Sequence, residues 1–217
     1  MNYQYLDDLF LLRFPQGFAD EEFKNSAKRH RTSDKILAII KNDFDVASLQ
    51  REDTYQINKN IALILKIVTM SSMISVFEKV AFRNYLADSK IHETFLQALY
   101  DLITKKDHES FDNFVCVLNL RKRETNKRVA TWPLVTFFLL YFDEYHEIFI
   151  KPNTIKRLIK LLEFDVEYVS YPNYETYQKI KEMVETYKKQ SNLVKGQSNI
   201  MVQAVMYCAL ISENELF

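Results

Sequence analysis

Glycine is the residue that this sequence lacks most clearly, with two in 217 positions. Tight β-hairpins, dinucleotide-binding turns and phosphate-cradling loops need glycine, because their backbones take positive φ values or approach a ligand closely. Its scarcity therefore argues against β-sandwiches, Rossmann-type folds and P-loops. Helices joined by turns that use Asn, Asp, Ser and Pro remain as the expected architecture.

The sequence also lacks a surplus of charge, because 29 Lys and Arg residues face 29 Asp and Glu residues. A neutral chain has no whole-protein attraction to nucleic acid or to an anionic membrane, so any such binding must come from a local patch. The two cysteines lie in unlike contexts, which indicates a reducing compartment and not a disulfide framework. The first residues show no signal-peptide pattern. We therefore expect a cytoplasmic protein.

No apolar run is long enough to predict a membrane span. The nearest, from Ile61 to Phe77, is interrupted by Lys66 and by four Ser and Thr residues, whereas a spanning helix needs about 20 apolar residues. The run predicts a buried core helix, and we expect one long helical region from Thr54 or Asn58 to about Ala87. No membrane partner is expected.

A dense apolar and aromatic stretch extends from Ala130 to Asn153 and contains the only tryptophan. Thr131 can cap a helix there, and Pro133 falls in the first turn, where its missing N–H costs nothing. The residues from Leu134 to Phe142 leave no polar side, which is typical of a helix that is buried all round. This stretch is therefore predicted to be the central element of the core.

Most of the remaining chain places apolar residues at helical spacing. The predicted fold class is all-α: an irregular multi-helix bundle with at most one short extended segment near 164–171, where apolar and polar residues alternate. Asn153 is predicted to cap a helix that continues through Leu162. A single domain over 1–217 is expected, with an alternative division into sub-domains 1–120 and 129–217 joined by the basic connection 119–128.

Candidate catalytic and metal-binding residues are few. Among the four histidines, His146 follows Asp143 at helical spacing, but no H-E-x-x-H motif and no cysteine pair is present. Cys116 and Cys208 lie in apolar contexts that raise a thiol pKa and make the thiol unreactive. We therefore predict no catalytic residue, no metal site and no cofactor, and we expect that the protein is not an enzyme.

Local clusters of basic residues are the strongest indication of function. Three groups are separated along the chain, and acids are rare within the first two. The groups are Arg121, Lys122, Arg123, Lys127 and Arg128; Lys151, Lys156, Arg157 and Lys160; and Lys24, Lys28, Arg29 and Arg31. If they converge, they form a surface that follows phosphates, with Tyr171, Tyr174 and Tyr177 as stacking faces. The alternative is a set of separate solvated faces.

The C-terminal part of the chain resembles a family of bacterial proteins. The resemblance rests on four motifs between Trp132 and Tyr187, which are W-P-L-V-T-F-F, F-I-K-P-N-T, F-D-V-E-Y and Y-P-N-Y-E-T-Y. That family has no established activity. The resemblance therefore implies a coherent domain of a bacterial protein and implies no mechanism.

Three functional hypotheses remain open. The first is a non-enzymatic protein that contacts nucleic acid or a nucleoprotein through 121–128 and 151–160. The second is a protein–protein interaction or dimerisation module that uses the tyrosines Tyr168, Tyr171 and Tyr174. The third is a helical-bundle metalloenzyme with a carboxylate–histidine site. The first is our working hypothesis, because the acid-poor basic segments are the feature that folding alone explains least.

Overall fold

The computed structural model describes residues 3–26, 31–120 and 128–216. Within these residues the chain forms eleven α-helices, three short 3-10 helices and no β-strand, so the predicted all-α fold class is confirmed. The α-helices are α1 (Gln4–Arg13), α2 (Glu21–Ser26), α3 (Arg31–Asp43), α4 (Thr54–Met70), α5 (Val76–Tyr85), α6 (His92–Lys105), α7 (His108–Leu118), α8 (Trp132–Phe142), α9 (Pro152–Leu161), α10 (Tyr174–Gln190) and α11 (Asn199–Leu216). The 3-10 helices are Gly17–Ala19, Val46–Gln50 and Ser89–Ile91.

Helix α8 lies in the middle of the core, as its apolar sequence predicts. Every residue from Trp132 to Tyr141 is buried, and the helix packs against α3 and α6. The hydroxyl of Thr131 caps it by accepting the Leu134 N–H at 3.3 Å. The Phe138 ring alone meets four other phenyl rings. Because each buried ring removes roughly 150–250 Å² from water, this cluster contributes much of the hydrophobic stabilisation.

The hydrophobic core is continuous across the connection 119–128. Helix α1 packs along α11, α10 packs against α7, and both α3 and α6 contact α8. Buried residues from both sides of the connection belong to one cluster. Helices α8 and α9, which follow the connection, therefore pack on the same core as the helices that precede it.

The prediction of one helical region from Thr54 to Ala87 is wrong, because the region is divided at 71–75. Helix α4 ends at Met70, and the buried Ser71 hydroxyl accepts the Met73 N–H at 3.1 Å. Ser75 then starts α5 through a capping box with Glu78. Serine side chains that bond to nearby backbone compete with helix continuation, which explains the break.

Helix α9 also begins earlier than predicted. Its first residue is Pro152, whose fixed φ suits the first helical position, and Lys151 and not Asn153 is the N-cap residue. The segment 164–171 is irregular and forms no strand. It is held near the start of α8 because Trp132 Nε1–H donates to the Val169 carbonyl oxygen at 2.8 Å. Among the helices of the described ranges, none has the length and apolarity that a membrane span requires.

Candidate functional site

The starts of α5 and α8 are joined by a polar contact. The Glu78 carboxylate accepts from the Ser75 N–H at 3.0 Å and from the Ser75 hydroxyl at 2.7 Å. Its other oxygen accepts from the Thr131 hydroxyl at 2.6 Å. Since Thr131 caps α8, the two helix N-termini face the same space, and both oxygens of this carboxylate are already engaged.

The start of α9 faces the same space and has no side-chain cap. Lys151 forms no capping hydrogen bond with its side chain, and Pro152 occupies the first turn. The chain just before the helix is held by the buried Thr136 hydroxyl, which accepts the Ile150 N–H at 2.9 Å. The first N–H groups of a helix have no partner within the helix and carry partial positive charge. An uncapped N-terminus of this kind favours an anion.

A cavity of about 460 Å³ lies where these three helix starts meet, and we call it the cationic cavity. Its charged lining residues are Arg128, Lys151 and Glu78. The other residues that line it are Ser72, Met73, Ser75, Ala130, Thr131, Trp132, Pro133, Pro152, Asn153 and Ser170. Two cations against one carboxylate, together with hydroxyl groups, make a site that suits an anionic ligand.

Arg128 and Lys151 reach this cavity from basic groups that are distant in the sequence. The Arg128 guanidinium carbon lies 4.4 Å from the centre of the Tyr171 ring, and the Lys151 ammonium lies 5.3 Å from the centre of the Tyr207 ring. Neither cation has a carboxylate partner within the described part of the chain. Their charges are therefore held by aromatic faces and not neutralised by ion pairs.

Three other predicted basic residues lie along α9. The Lys156 ammonium is 5.1 Å from the centre of the Tyr168 ring, and Lys160 is exposed one turn further on. Arg157 is different, because its Nη2 donates to the Leu210 carbonyl oxygen at 2.7 Å and so ties α9 to α11. Arg157 therefore has a structural role that its sequence context does not indicate.

Six predicted basic residues lie outside the described residues. They are Arg121, Lys122, Arg123, Lys127, Lys28 and Arg29. Lys24 pairs with Glu21 at 2.8 Å on α2. Of the predicted basic residues, Arg128 and Lys151 therefore meet at the cationic cavity, and Lys156 lies over the Tyr168 ring.

The predicted tyrosines have different environments. Tyr171 is 41% exposed and presents its ring beside Arg128. Tyr168 is half-buried, its hydroxyl has no hydrogen-bond partner in the described structure, and burial raises its pKa to about 12. Tyr174 stacks on the His108 ring at 5.3 Å. The prediction that Tyr177 is a stacking face is wrong, because that side chain is completely buried.

Tyr177 belongs instead to a buried polar group that we call the Glu147 cluster, made of Glu147, Tyr177 and Lys181. The Glu147 carboxylate is 4% exposed and accepts from the Tyr177 hydroxyl at 2.5 Å and from Lys181 Nζ at 2.8 Å. Burial, and next the Glu147 charge, raise the pKa of Tyr177 well above its ordinary value. Every charged group in this cluster has a partner of opposite charge or a hydrogen bond.

Asp143 and His146, the pair with helical spacing, lie beside that cluster. The His146 Nδ1 and the Asp143 carboxylate are 2.7 Å apart, and Lys106 donates to the other carboxylate oxygen. Burial acts to raise the pKa of Asp143, but the hydrogen bonds from Lys106 and His146 outweigh it and lower that pKa. The described residues contain no group of three or more His, Cys, Asp or Glu side chains that could hold a metal ion.

The cavity residues that sequence analysis missed are those of the break between α4 and α5, Ser72, Ser75 and Glu78. The signal that could have found them is S-V-F-E, the pattern of a capping box, within an otherwise apolar run. Thr131 was identified as a cap, but its hydrogen bond to Glu78 depends on tertiary packing.

Comparison of the chain with family models, with curated proteins and with solved structures finds no match. The resemblance of the segment from Trp132 to Tyr187 to a bacterial family therefore stays a prediction. Any functional argument for this chain must start from the geometry of its own side chains.

Proposed function

We propose that this protein binds single-stranded nucleic acid, with a backbone phosphate in the cationic cavity and bases against the tyrosines beside it. One observation carries the proposal. Arg128 and Lys151, from two basic groups far apart in the sequence, line one cavity, and neither has a carboxylate partner in the described structure. The cations are thus available to a ligand.

The chemistry of the cavity suits a phosphate. A guanidinium group presents a planar fork of donors that matches phosphate oxygens, and an ammonium adds a compact charge. The uncapped start of α9 adds the backbone N–H groups that follow Pro152, which itself has none, and the positive end of a helix dipole. Glu78 opposes the ligand only in part, because its two oxygens already accept hydrogen bonds.

The neighbouring aromatic residues favour a single strand over a duplex. Tyr171 is exposed beside Arg128, and Lys156 lies over the Tyr168 ring. Proteins that bind single strands combine such cationic grooves with aromatic faces on which unpaired bases stack, each worth about 1–3 kcal/mol. Bases in a duplex are already stacked and cannot use these faces.

Salt dependence gives a quantitative expectation. If Arg128, Lys151, Lys156 and Lys160 each contact one phosphate, the logarithm of the affinity falls with the logarithm of the salt concentration with a slope of about −2.8, at about −0.7 per contact. The protein as a whole is neutral, so binding should be strong only at low salt.

The test is fluorescence anisotropy with a labelled single-stranded oligonucleotide over a salt series. We expect the double substitution Arg128→Met with Lys151→Met to lower the affinity at least tenfold and to flatten the slope by about 1.4. The matched control is Lys59→Met with Lys179→Met, which removes the same charge from two exposed lysines that line neither cavity described for this protein. Equal losses in the two double variants, or no binding at low salt, would contradict the proposal.

A second candidate function is association with a protein, and the exposed face of α5 favours it. Val76, Phe77 and Val80 are 70%, 88% and 41% exposed and share one side of the helix. Exposed apolar groups of this kind are typical of interaction surfaces. Light scattering at two protein concentrations, with Phe77→Ser as the variant, tests self-association. A mass equal to one chain at both concentrations would exclude a stable dimer.

A further inference from the structure

A second cavity, of about 480 Å³, adjoins the cationic cavity and has a different chemistry. We call it the apolar cavity. It lies between α9, α10 and α11, and its apolar walls include Phe149, Ile155, Leu158, Val184, Ala204 and Met206. Its volume is within the range of about 300–1,000 Å³ that is usual for small-molecule sites.

One charged residue, Lys151, is among the described residues that line the apolar cavity. Lys151 lines both cavities, and its ammonium lies 5.3 Å from the centre of the ring of Tyr207, which lines the apolar cavity. Ser72 and Met73 are also shared by the two cavities. A hydrophobic chamber that ends at an ammonium without a carboxylate partner in the described structure complements a molecule with an apolar chain and an anionic head.

We propose that the apolar cavity binds a single-chain amphiphile whose anionic head group, a carboxylate or a phosphate monoester, pairs with Lys151. The alkyl chain of the ligand lies against the partly exposed lining residues Met73, Tyr207 and Ile211, where it replaces water against apolar side chains, and the buried Phe149 and Ile155 lie beneath it. The head is held by charge and by the neighbouring cationic cavity. This site does not depend on nucleic-acid binding.

One consequence does rest on the proposed function. Because the same ammonium would serve the amphiphile head and a nucleic-acid phosphate, the two ligands would compete. Bound amphiphile would then lower the affinity for single-stranded nucleic acid, and the loss would depend on Lys151.

The binding test is isothermal titration with decanoate and decyl phosphate, each below its micelle-forming concentration, and with the neutral decanol below its solubility limit. We expect at least one of the two anions to bind more tightly than decanol, and the preference between the two identifies the head group. Lys151→Met should lower the affinity for that anion about tenfold and leave the affinity for decanol unchanged. Lys179→Met, exposed on α10 and lining neither cavity, should change the affinity less than twofold.

A second measurement locates the alkyl chain of the bound ligand and needs no substitution in the core. Cys208 lines the apolar cavity, is 8% exposed, and has a pKa raised to about 11 by burial. In the variant Cys116→Ser, which removes the exposed thiol, the ligand should slow the reaction of Cys208 with a thiol reagent.

Three results would overturn the amphiphile site: no binding of either anion, equal affinity for the anions and decanol, or no protection of Cys208. Titrations in the presence of single-stranded oligonucleotide separate this proposal from the proposed function. If the anion binds and the oligonucleotide does not, the amphiphile site stands and the nucleic-acid proposal fails. If only the oligonucleotide binds, the nucleic-acid proposal stands and the amphiphile site fails.

Discussion

Charged side chains are paired in the Glu147 cluster and unpaired in the described part of the cationic cavity. In the cluster, a buried carboxylate is matched by a lysine ammonium at 2.8 Å and a tyrosine hydroxyl at 2.5 Å. In the cavity, Arg128 and Lys151 lie against aromatic rings with no carboxylate partner in the described residues. A charge that is paired and buried stabilises the fold only while its partner is present. A charge that is unpaired and accessible is available for recognition, so the two regions should respond differently to substitution.

The largest effect should come from Glu147→Ala. The substitution leaves the buried Tyr177 hydroxyl and Lys181 without their acceptor, and we expect the free energy of unfolding to fall by about 3 kcal/mol. Urea unfolding at neutral pH measures it, with the exposed Glu163→Ala as the control. A loss under about 1 kcal/mol would mean that the cluster is not structural.

Tyr171→Ala should have the next largest effect, and chiefly on binding. Loss of one stacking face is worth about 1–3 kcal/mol, or about fivefold or more in affinity for a single strand. Tyr171→Phe keeps the ring and should retain the affinity within about twofold. If both variants lose affinity equally, the hydroxyl and not the ring is the contact, and the stacking argument is wrong.

Asp143→Asn should give a smaller effect that depends on pH. The pKa of Asp143 is lowered in the folded protein by Lys106 and His146, so its stabilisation is present above its ordinary pKa of about 4 and is lost as the pH falls through the lower folded value. At pH 6 we expect the free energy of unfolding of the wild type to exceed that of Asp143→Asn by less than about 1 kcal/mol. At pH 3 this difference should be smaller. A difference that grows on acidification would contradict this sign.

The smallest effect should be that of Arg128→Met with Lys151→Met on stability. Neither cation has an ion pair to lose in the described structure, so the free energy of unfolding should change by less than about 1 kcal/mol, the value of an exposed cation–aromatic contact. Thermal and urea unfolding measure it. A loss comparable with that of Glu147→Ala would remove the distinction between the two regions.

Local sequence patterns predicted the core better than the site. The apolar run from Leu134 to Phe142 has no polar side, so its burial in α8 follows from composition. The N-cap residue Thr131 and Pro133 in the first turn could also be identified from the sequence. These features depend on neighbouring residues in the sequence, which is why they can be predicted without knowing the fold.

The cavities depend on contacts between distant residues. Arg128 and Lys151 line one cavity because α8 and α9 pack on a shared core, and nothing in the sequence of either basic group specifies this arrangement. Arg157 shows the converse. Its basic sequence context is typical of a surface residue, yet it donates to the Leu210 carbonyl oxygen. Tyr177 lies on the apolar face of α10, as its helical spacing with Ile180 and Val184 indicates, but its hydrogen bond to Glu147 depends on tertiary packing.

The most direct test of the account is amine footprinting of the unmodified protein with and without a single-stranded oligonucleotide, analysed by mass spectrometry. We predict that the oligonucleotide slows acylation of Lys151 and Lys156, and that Lys59 and Lys179 react at unchanged rates. Unchanged labelling of Lys151 under conditions where the oligonucleotide is bound would contradict the claim that the cationic cavity receives a phosphate.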